Sequence, residues 1–261
     1  MSNQPEGSEV LPGANGGIQP GRYYGRSIPY LPINGYPGKL IAVEGTDSVG
    51  RTTQIQLLRE WLEVKGYGVV ETGWTRSPLM QPTIELAKSS NTLNKLTFVL
   101  LYATDFADRL EKEIIPALKA GMIVLADRYA YTAFARDVTR GVDRQWVREL
   151  YSFAVRPDMA LYFRVPIDVS LDRLMARRVK LKFYEAGMDL GWSANPIESF
   201  RLFQGKVLDE YDRLVDEYGL SVISAVGSIT EQQRLVRDLV AKHVETTHVI
   251  RSAEVLDEQP A

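Results

Sequence analysis

The sequence predicts an α/β fold in which a five-stranded parallel sheet is flanked by helices in three layers. Short apolar runs bounded by turn residues alternate with helical patterns of a dozen or more residues, as in a parallel sheet buried on both faces. The chain has 261 residues, 45% of them hydrophobic, enough for one substantial core. Ligands of such a sheet bind at the carboxyl ends of its strands. The five runs lie at about 40–44, 67–72, 122–126, 160–165 and 220–224.

Three helices are indicated most clearly. One spans about 52–65, with Ile55, Leu58 and Leu62 on one face, and a long one spans about 94–120. A third runs from the Asn195-Pro196 pair to about Tyr218, because asparagine is a good N-cap and proline suits the first helical position.

The two ends of the chain differ in composition from the middle. Residues 1–38 are rich in glycine and proline, which predicts an arm, although its tyrosines leave open that residues 23–36 pack onto the domain or a partner subunit. Residues 39–245 would form the folded domain, and 246–261 a flexible tail.

Composition excludes several classes of protein. With no cysteine the chain cannot hold disulfides or thiolate-bound metals, and its two histidines make a histidine-based site improbable. The formal net charge of -2 gives no indication of a nucleic-acid partner. No stretch approaches the roughly 18 apolar residues of a membrane span, so we expect no membrane partner and a cytoplasmic location.

Residues 45–53 read GTDSVGRTT, between the first apolar run and the first helix. This is the context of the phosphate-binding loop G-x-x-x-x-G-K-[ST], found in P-loop NTPase-type folds. The glycines let backbone N–H groups point at phosphate oxygens, and the threonine after Arg51 would ligate a nucleotide-bound Mg²⁺. The residues expected to bind the phosphates of ATP are Gly45, Thr46, Asp47, Ser48, Val49, Gly50, Arg51, Thr52 and Thr53.

Arg51 stands where the loop normally has lysine. Arginine is longer, planar and forked, so the exchange is not conservative. Either Arg51 clamps phosphate in a shifted pose, or it marks weakened chemistry.

Spaced motifs give the chain from about 39 to 244 a resemblance to the thymidylate kinase family of nucleoside monophosphate kinases. The segment 44–54 resembles that family's G-x-D-x-x-G-K-[ST]-T-Q loop, and Asp127-Arg128-Tyr129 resembles its D-R-[YH] signature. Segments 101–103, 156–161 and 171–178 resemble its base-stacking helix, its K-P-D strand and its helix leading to a basic lid. The resemblance implies an ATP- and Mg²⁺-dependent kinase that acts as a homodimer on a nucleotide substrate, with dTMP the default acceptor.

The resemblance also implies residue roles. Arg128 and Arg76 would grip the acceptor phosphate, Asp47 the sugar hydroxyl, and Asp127 would lie beside the metal with Thr52. Thr132 would replace a family serine near the base, and Tyr102 would stack on the base. Arg177, Arg178, Lys180 and Lys182 would close over the donor phosphates, within a lid of about 177–196. The residues expected to act in catalysis are Asp47, Arg51, Arg128, Arg177 and Arg178.

The sequence departs from the family in the acceptor pocket. The position of a family arginine that reaches the thymine edge falls on Phe106, and the amide that reads the base is missing. Phe106 and Phe134 would therefore make the pocket more apolar. Glu185 and Asp189 could add carboxylates near the metal, although local capping or pairing is the favoured interpretation.

Two other functions stay open from the sequence. The altered positions could belong to a nucleotide-binding regulatory or assembly protein that has lost efficient transfer. They could also belong to a kinase for a small non-nucleotide acceptor.

Overall fold

The computed structural model contains the predicted five-stranded parallel sheet, in the order β2-β3-β1-β4-β5. It describes residues 23–25, 27, 28, 30, 35–91, 93–177 and 180–257, without the side chains of 177 and 245–257. Since β1 lies between β3 and β4, the turns that follow β1 and β3 meet at one edge of the sheet. The strands are β1 Lys39–Gly45, β2 Val69–Gly73, β3 Ile123–Asp127, β4 Met159–Arg164 and β5 Ser221–Ser224.

Helices cover both faces of the sheet, so successive residues of each strand enter different cores. Along β1, Leu40 and Ala42 belong to one buried cluster, while Ile41 and Val43 belong to the other. The helices are α1 Arg51–Val64, α2 Gln81–Ser89, α3 Lys95–Arg109, α4 Ile115–Lys119, α5 Ala130–Thr139, α6 Arg144–Leu150, α7 Ile167–Arg177, α8 Pro196–Tyr218 and α9 Ile229–Asp257. A short 3₁₀ turn, Met188–Leu190, precedes α8.

The predicted helix at about 94–120 is present, with one change of geometry. Between α3 and α4 the backbone widens into a π-helical turn at Leu110–Ile114. Pro116 follows this turn and has no N–H to donate, which favours a local departure from α-helical hydrogen bonding. The predicted N-cap of α8 is confirmed, because the Asn195 side chain accepts hydrogen bonds from the N–H groups of Ile197 (2.9 Å) and Glu198 (3.4 Å).

Part of the tyrosine-rich N-terminal segment packs onto the domain. Tyr23 pairs with Val155 in an isolated antiparallel bridge, and its hydroxyl lies 2.9 Å from that of Tyr36. Tyr24 makes edge contacts with Tyr131 and with other rings of the core. Tyr30, by contrast, is 71% exposed. Of the alternatives left open by the sequence, packing onto the domain describes the tyrosines at 23, 24 and 36, while residues 1–22 lie outside the described residues.

The last helix extends past residue 245, where we expected the folded domain to end. α9 continues as far as Asp257, and the flexibility expected of the tail stays a prediction. Residues 229–257 contain no proline or glycine, so nothing in the sequence interrupts the helix there. None of the helices within the described residues is long and apolar enough to cross a membrane.

Candidate active site

The loop between β1 and α1 has the backbone expected of a phosphate cradle. Gly45 and Gly50 have φ values of 142° and 99°, and Ser48 has a φ of 61°. A Cβ atom at Gly45 would lie 2.5 Å from the carbonyl oxygen of Phe163, so only glycine fits there. The first helical hydrogen bond runs from Gln54 N to Gly50 O (3.2 Å), which leaves the earlier N–H groups of α1 at the loop.

The Arg51 side chain folds back into the loop. Its Nε donates to Asp127 Oδ1 at 2.9 Å, and its Nη1 donates to the carbonyl oxygens of Gly45 (2.7 Å) and Thr46 (2.5 Å). The side chain is only 10% exposed. Arg51 therefore ties the loop to the end of β3.

The chemistry of Mg²⁺ suits the pair formed by Thr52 and Asp127. Thr52 Oγ1 lies 3.4 Å from Asp127 Oδ2, which places a hydroxyl and a carboxylate oxygen side by side. Mg²⁺ bound with nucleotide phosphates needs only one or two such protein ligands. Among the described residues no group of three or more histidine, aspartate or glutamate side chains could hold a metal by itself. Burial alone would raise the pKa of Asp127, but Arg51 outweighs it and keeps the carboxyl ionised.

Beside the loop lies a cavity of about 260 Å³. Its wall comes from the loop after β1, the turn after β2, helices α2, α3, α5 and α8, and the segment before the 3₁₀ turn. Aromatic and cationic side chains dominate it. The residues that matter most below are Asp47, Trp74, Tyr102, Arg128, Arg136 and Tyr211.

Arg128 connects the loop with this cavity. Its Nη2 donates to Asp47 Oδ1 at 2.6 Å, and its Nη1 to Thr132 Oγ1 at 3.4 Å. The residue has a φ of 72°, a conformation that costs energy for a side chain larger than glycine. Burial by itself would raise the pKa of Asp47, but Arg128 and Arg51 lower it below its usual value. Arg76 stands at the same edge, half-exposed, with its Nη2 4.0 Å from Asp127 Oδ2.

Glu44 holds the segment that follows Arg128, a role that the sequence reasoning missed. Glu44 lies one residue before the end of β1. It is fully buried and accepts hydrogen bonds from Tyr129 N (2.7 Å), Thr132 Oγ1 (2.7 Å) and Tyr211 Oη (2.8 Å). Burial raises the pKa of Glu44, against the opposing effect of these hydrogen bonds. The Thr132 hydroxyl is therefore committed to Glu44. A charged residue inside an apolar strand was the signal that could have identified it.

Tyr102 lies in the cavity wall, but it is only 4% exposed. Its ring stacks on Phe98 with centroids 4.7 Å apart, and Trp74 lies 5.3 Å away. The guanidinium of Arg136 is closer still, 4.2 Å from the ring centroid. The neighbours Trp74, Phe98 and Arg136 were not singled out from the sequence as site residues.

The comparisons with known proteins agree with this geometry. The family model for thymidylate kinase matches residues 43–234. A "Probable thymidylate kinase 2" of Saccharolobus solfataricus is 37% identical over 211 residues, 80% of this chain and 99% of the relative. A "Probable thymidylate kinase" of Thermococcus onnurineus is 30% identical over 77% of this chain and 95% of its own length. A "Thymidylate kinase" of Thermoanaerobacter sp. is 31% identical over 78% and 96%.

The chain belongs to the thymidylate kinase family. The five-stranded parallel sheet and its phosphate loop are those of a P-loop kinase fold.

The acceptor side of this thymidylate kinase family member differs from the sequence-based expectation at two aromatic residues. Phe106 is fully buried and packs on Trp74, Tyr129 and Tyr151, one layer behind the cavity. Phe134 is 1% exposed and packs on Tyr131 and Tyr218. The prediction that both make the pocket more apolar is therefore corrected: they belong to the core, and Trp74 supplies the aromatic surface instead.

The segment before α8 contains the remaining predicted charges. Asp189 Oδ2 accepts from Arg140 Nε at 2.9 Å, so the favoured interpretation of a local pair is correct for Asp189. Glu185 and Lys182 both line the cavity. The side chain of Arg177 and the whole of Arg178 lie outside the described residues, so their lid role stays a prediction.

Proposed function

We propose that this protein transfers the γ-phosphoryl group of ATP to dTMP, giving dTDP and ADP. The observation that carries the proposal is the meeting of two sites at adjacent strand ends. The phosphate loop follows β1, and Arg128 follows β3 and reaches Asp47 of that loop at 2.6 Å. The donor and acceptor phosphates would thus approach each other at the edge where β1 and β3 end.

Each side chain has a role in positioning or in charge neutralisation, because phosphoryl transfer needs no covalent partner from the protein. The loop would bind the ATP phosphates, and Mg²⁺ held by Thr52 and Asp127 would supply charge neutralisation between them. Arg128 and Arg76 would hold the acceptor phosphate so that one of its oxygens attacks the γ-phosphorus as the bond to the β-phosphate oxygen breaks. On substrate binding, Arg128 would exchange its pair with Asp47 for the phosphate, which frees Asp47 for the sugar hydroxyl.

A coupled assay of ADP formation tests the proposal directly. Purified protein would be given ATP, Mg²⁺ and a panel of monophosphates, and turnover should be highest with dTMP. Folded protein that turns over none of the panel would contradict the proposal. Binding of both nucleotides without transfer would identify a regulatory nucleotide-binding protein instead.

The proposal includes a homodimer formed through α2 and α3. These helices contact each other and carry leucines that a soluble monomer would rarely expose together: Leu86 is 75% exposed, Leu96 58% and Leu100 42%. Leu96 and Leu100 are four residues apart, on one face of α3. In sedimentation velocity, Leu100→Glu should shift a dimer to monomer, while Val222→Glu, at a 46% exposed position on β5, should not. An unmutated protein that sediments as a monomer would contradict it.

A cytoplasmic location also stays part of the proposal. Cell fractionation followed by detection of the protein would check it.

A further inference from the structure

Arg136 of α5 and Arg140, the residue that follows this helix, lie one helical turn apart in the wall of the proposed acceptor cavity. Arg136 is held over three rings, 5.1 Å from the centroid of Trp74, 5.0 Å from Phe98 and 4.2 Å from Tyr102. Arg140 lies 4.7 Å from the same Phe98 ring. Such stacking fixes the plane of a guanidinium and leaves its edge to make hydrogen bonds.

Both guanidinium groups keep a buried nitrogen without a hydrogen-bond partner among the described residues. Arg136 pairs through Nε with Asp137 Oδ1 at 3.3 Å, yet its Nη2 has no acceptor. Arg140 donates to Asp189 (2.9 Å) and to the carbonyl of Tyr184 (2.9 Å), yet its Nη1 has none. Buried donors of this kind are costly unless something else satisfies them. Since the two guanidinium groups also line the cavity, they favour a ligand that brings acceptors.

The chemistry of this wall restricts that ligand. An arginine edge only donates, so it favours carbonyl oxygens and disfavours an amino group at the same place. The flat rings of Trp74, Phe98 and Tyr102 line the same cavity, which suits a heterocycle. A pyrimidine with a 4-keto oxygen fits both properties, and one with a 4-amino group fits only the second.

We infer that Arg136 is a specificity-determining residue of the acceptor site, which reads the 4-keto oxygen of the pyrimidine, with Arg140 beside it. This inference rests on the proposed function and deepens it. In this chain the base edge is read from α5, because the ring one turn after Tyr102, Phe106, is buried behind the cavity. Tyr102 then positions the Arg136 guanidinium as well as shaping the base pocket.

Calorimetric affinities for dTMP, dUMP and dCMP test the inference, since they require no turnover. Arg136→Gln should weaken binding of the two 4-keto nucleotides by about 10- to 100-fold, the effect of removing one charged hydrogen bond. Binding of dCMP should change by about threefold or less, because glutamine offers its amino group a carbonyl acceptor. Arg136→Lys keeps the charge without the fork and should retain part of the preference for the keto bases.

Arg148→Gln is the matched control. Arg148 also lies over two rings, Phe134 at 5.1 Å and Tyr218 at 5.9 Å, and pairs with a carboxylate at 2.8 Å, but it does not line the cavity. It should leave all three affinities unchanged.

Equal losses for dTMP and dCMP in Arg136→Gln would assign Arg136 to the sugar or to packing and would overturn the inference, with the proposed function left standing. Unaltered dTMP affinity in both Arg136 variants would overturn it as well. An unmutated protein that binds dTMP but transfers no phosphate would overturn the proposed function alone.

Discussion

The proposed donor and acceptor sides of the active site are constructed in different ways. The proposed donor side is one uninterrupted stretch of nine residues, whose backbone conformation at Gly45, Ser48 and Gly50 would do most of the binding. The proposed acceptor side is a cavity of side chains from α2, α3, α5, α8 and several loops, held by buried contacts such as those of Glu44.

Because of this difference, we expect a single substitution to have different effects on the two sides. On the donor side, a side chain such as Arg51 acts through the shape of the loop, so its replacement should affect ATP first. On the acceptor side, each side chain is a direct or supporting contact, so its replacement should affect dTMP first. A donor-side substitution that affects dTMP first, or an acceptor-side substitution that affects ATP first, would contradict the distinction.

The largest effect is expected at Arg128. Arg128→Gln removes the charge that would hold the acceptor phosphate and leaves Asp47 without its 2.6 Å partner, so kcat/KM for dTMP should fall about 1,000-fold. The affinity for ATP should change far less. Steady-state kinetics with each substrate varied in turn would measure both.

Arg164→Gln is the matched control, because Arg164 is also a strand-end arginine paired with an aspartate, at 2.8 Å, but on the exposed side of β4. It should leave kcat/KM within about twofold. A loss of ATP affinity in Arg128→Gln as large as the loss for dTMP would show that the two sides are not separate.

Arg51 should give the next largest effect, on the donor side. Arg51→Ala removes the bonds to Asp127 and to two loop carbonyl groups, so affinity for ATP or turnover should fall about 100-fold. Arg51→Lys keeps a charge in the loop and should retain appreciable ATP binding. Fluorescence titration with a nucleotide analogue measures the affinities. If Arg51→Ala binds and turns over ATP as the unmutated chain does, Arg51 is a bystander.

The same contrast explains how far the sequence could predict this molecule. Periodicity predicted all five strands and the three helices at about 52–65, 94–120 and 195–218, because burial on both faces produces continuous apolar runs such as that of β1. The π-helical turn at Leu110–Ile114 and the last helix, α9, were not predicted, because helix ends and local widening depend on packing more than on composition.

The proposed donor site could be predicted because its residues are contiguous. On the proposed acceptor side, Arg128 and Asp47 were predicted from short motifs, whereas the contacts of Glu44, Trp74 and Arg136 form only when distant elements meet. Phe106 shows the reverse error: it falls on the position of a family arginine that reaches the base, but its ring packs into the core behind Trp74. The position of a residue along a helix predicts which way its side chain points. The neighbouring elements decide whether that side chain meets the cavity or the core.

A smaller effect is expected at Tyr211, which supports the acceptor side without touching the phosphate. Its hydroxyl donates to Glu44 at 2.8 Å and lies 2.9 Å from that of Thr132. Tyr211→Phe removes one buried hydrogen bond, so the free energy of unfolding should fall by about 1 kcal/mol and kcat/KM for dTMP by several-fold, with ATP affinity kept. Thermal unfolding and kinetics would measure these.

Tyr162→Phe is the control for the loss of a hydroxyl. Tyr162 stacks on Tyr211 with centroids 4.9 Å apart, but its hydroxyl faces Asp212 at 3.4 Å. It should leave kcat/KM unchanged. Equal losses of kcat/KM in Tyr211→Phe and Tyr162→Phe would show that the Tyr211 hydroxyl does not support the acceptor side.

The smallest effects concern stability in acid, where two carboxylates three residues apart should act with opposite sign. The pKa of Asp47 is lowered in the folded protein, so its stabilising contribution is present above the unfolded pKa of about 3.9 and is lost as pH falls through the folded pKa. The pKa of Glu44 is raised by burial, so its contribution is present below about 4.3 and is lost as pH rises through the folded pKa.

Urea unfolding between about pH 3 and pH 7 would separate the two. Asp47→Asn should make the free energy of unfolding rise less steeply with pH than in the unmutated protein. Glu44→Gln should make it rise more steeply, even though the variant is less stable overall, because the amide faces three donors where the carboxylate accepted from all of them. Slopes that change in the same direction would mean that Glu44 is ionised as readily as Asp47. In that case Glu44 would act as an ionised carboxylate, as Asp47 does in its pair with Arg128.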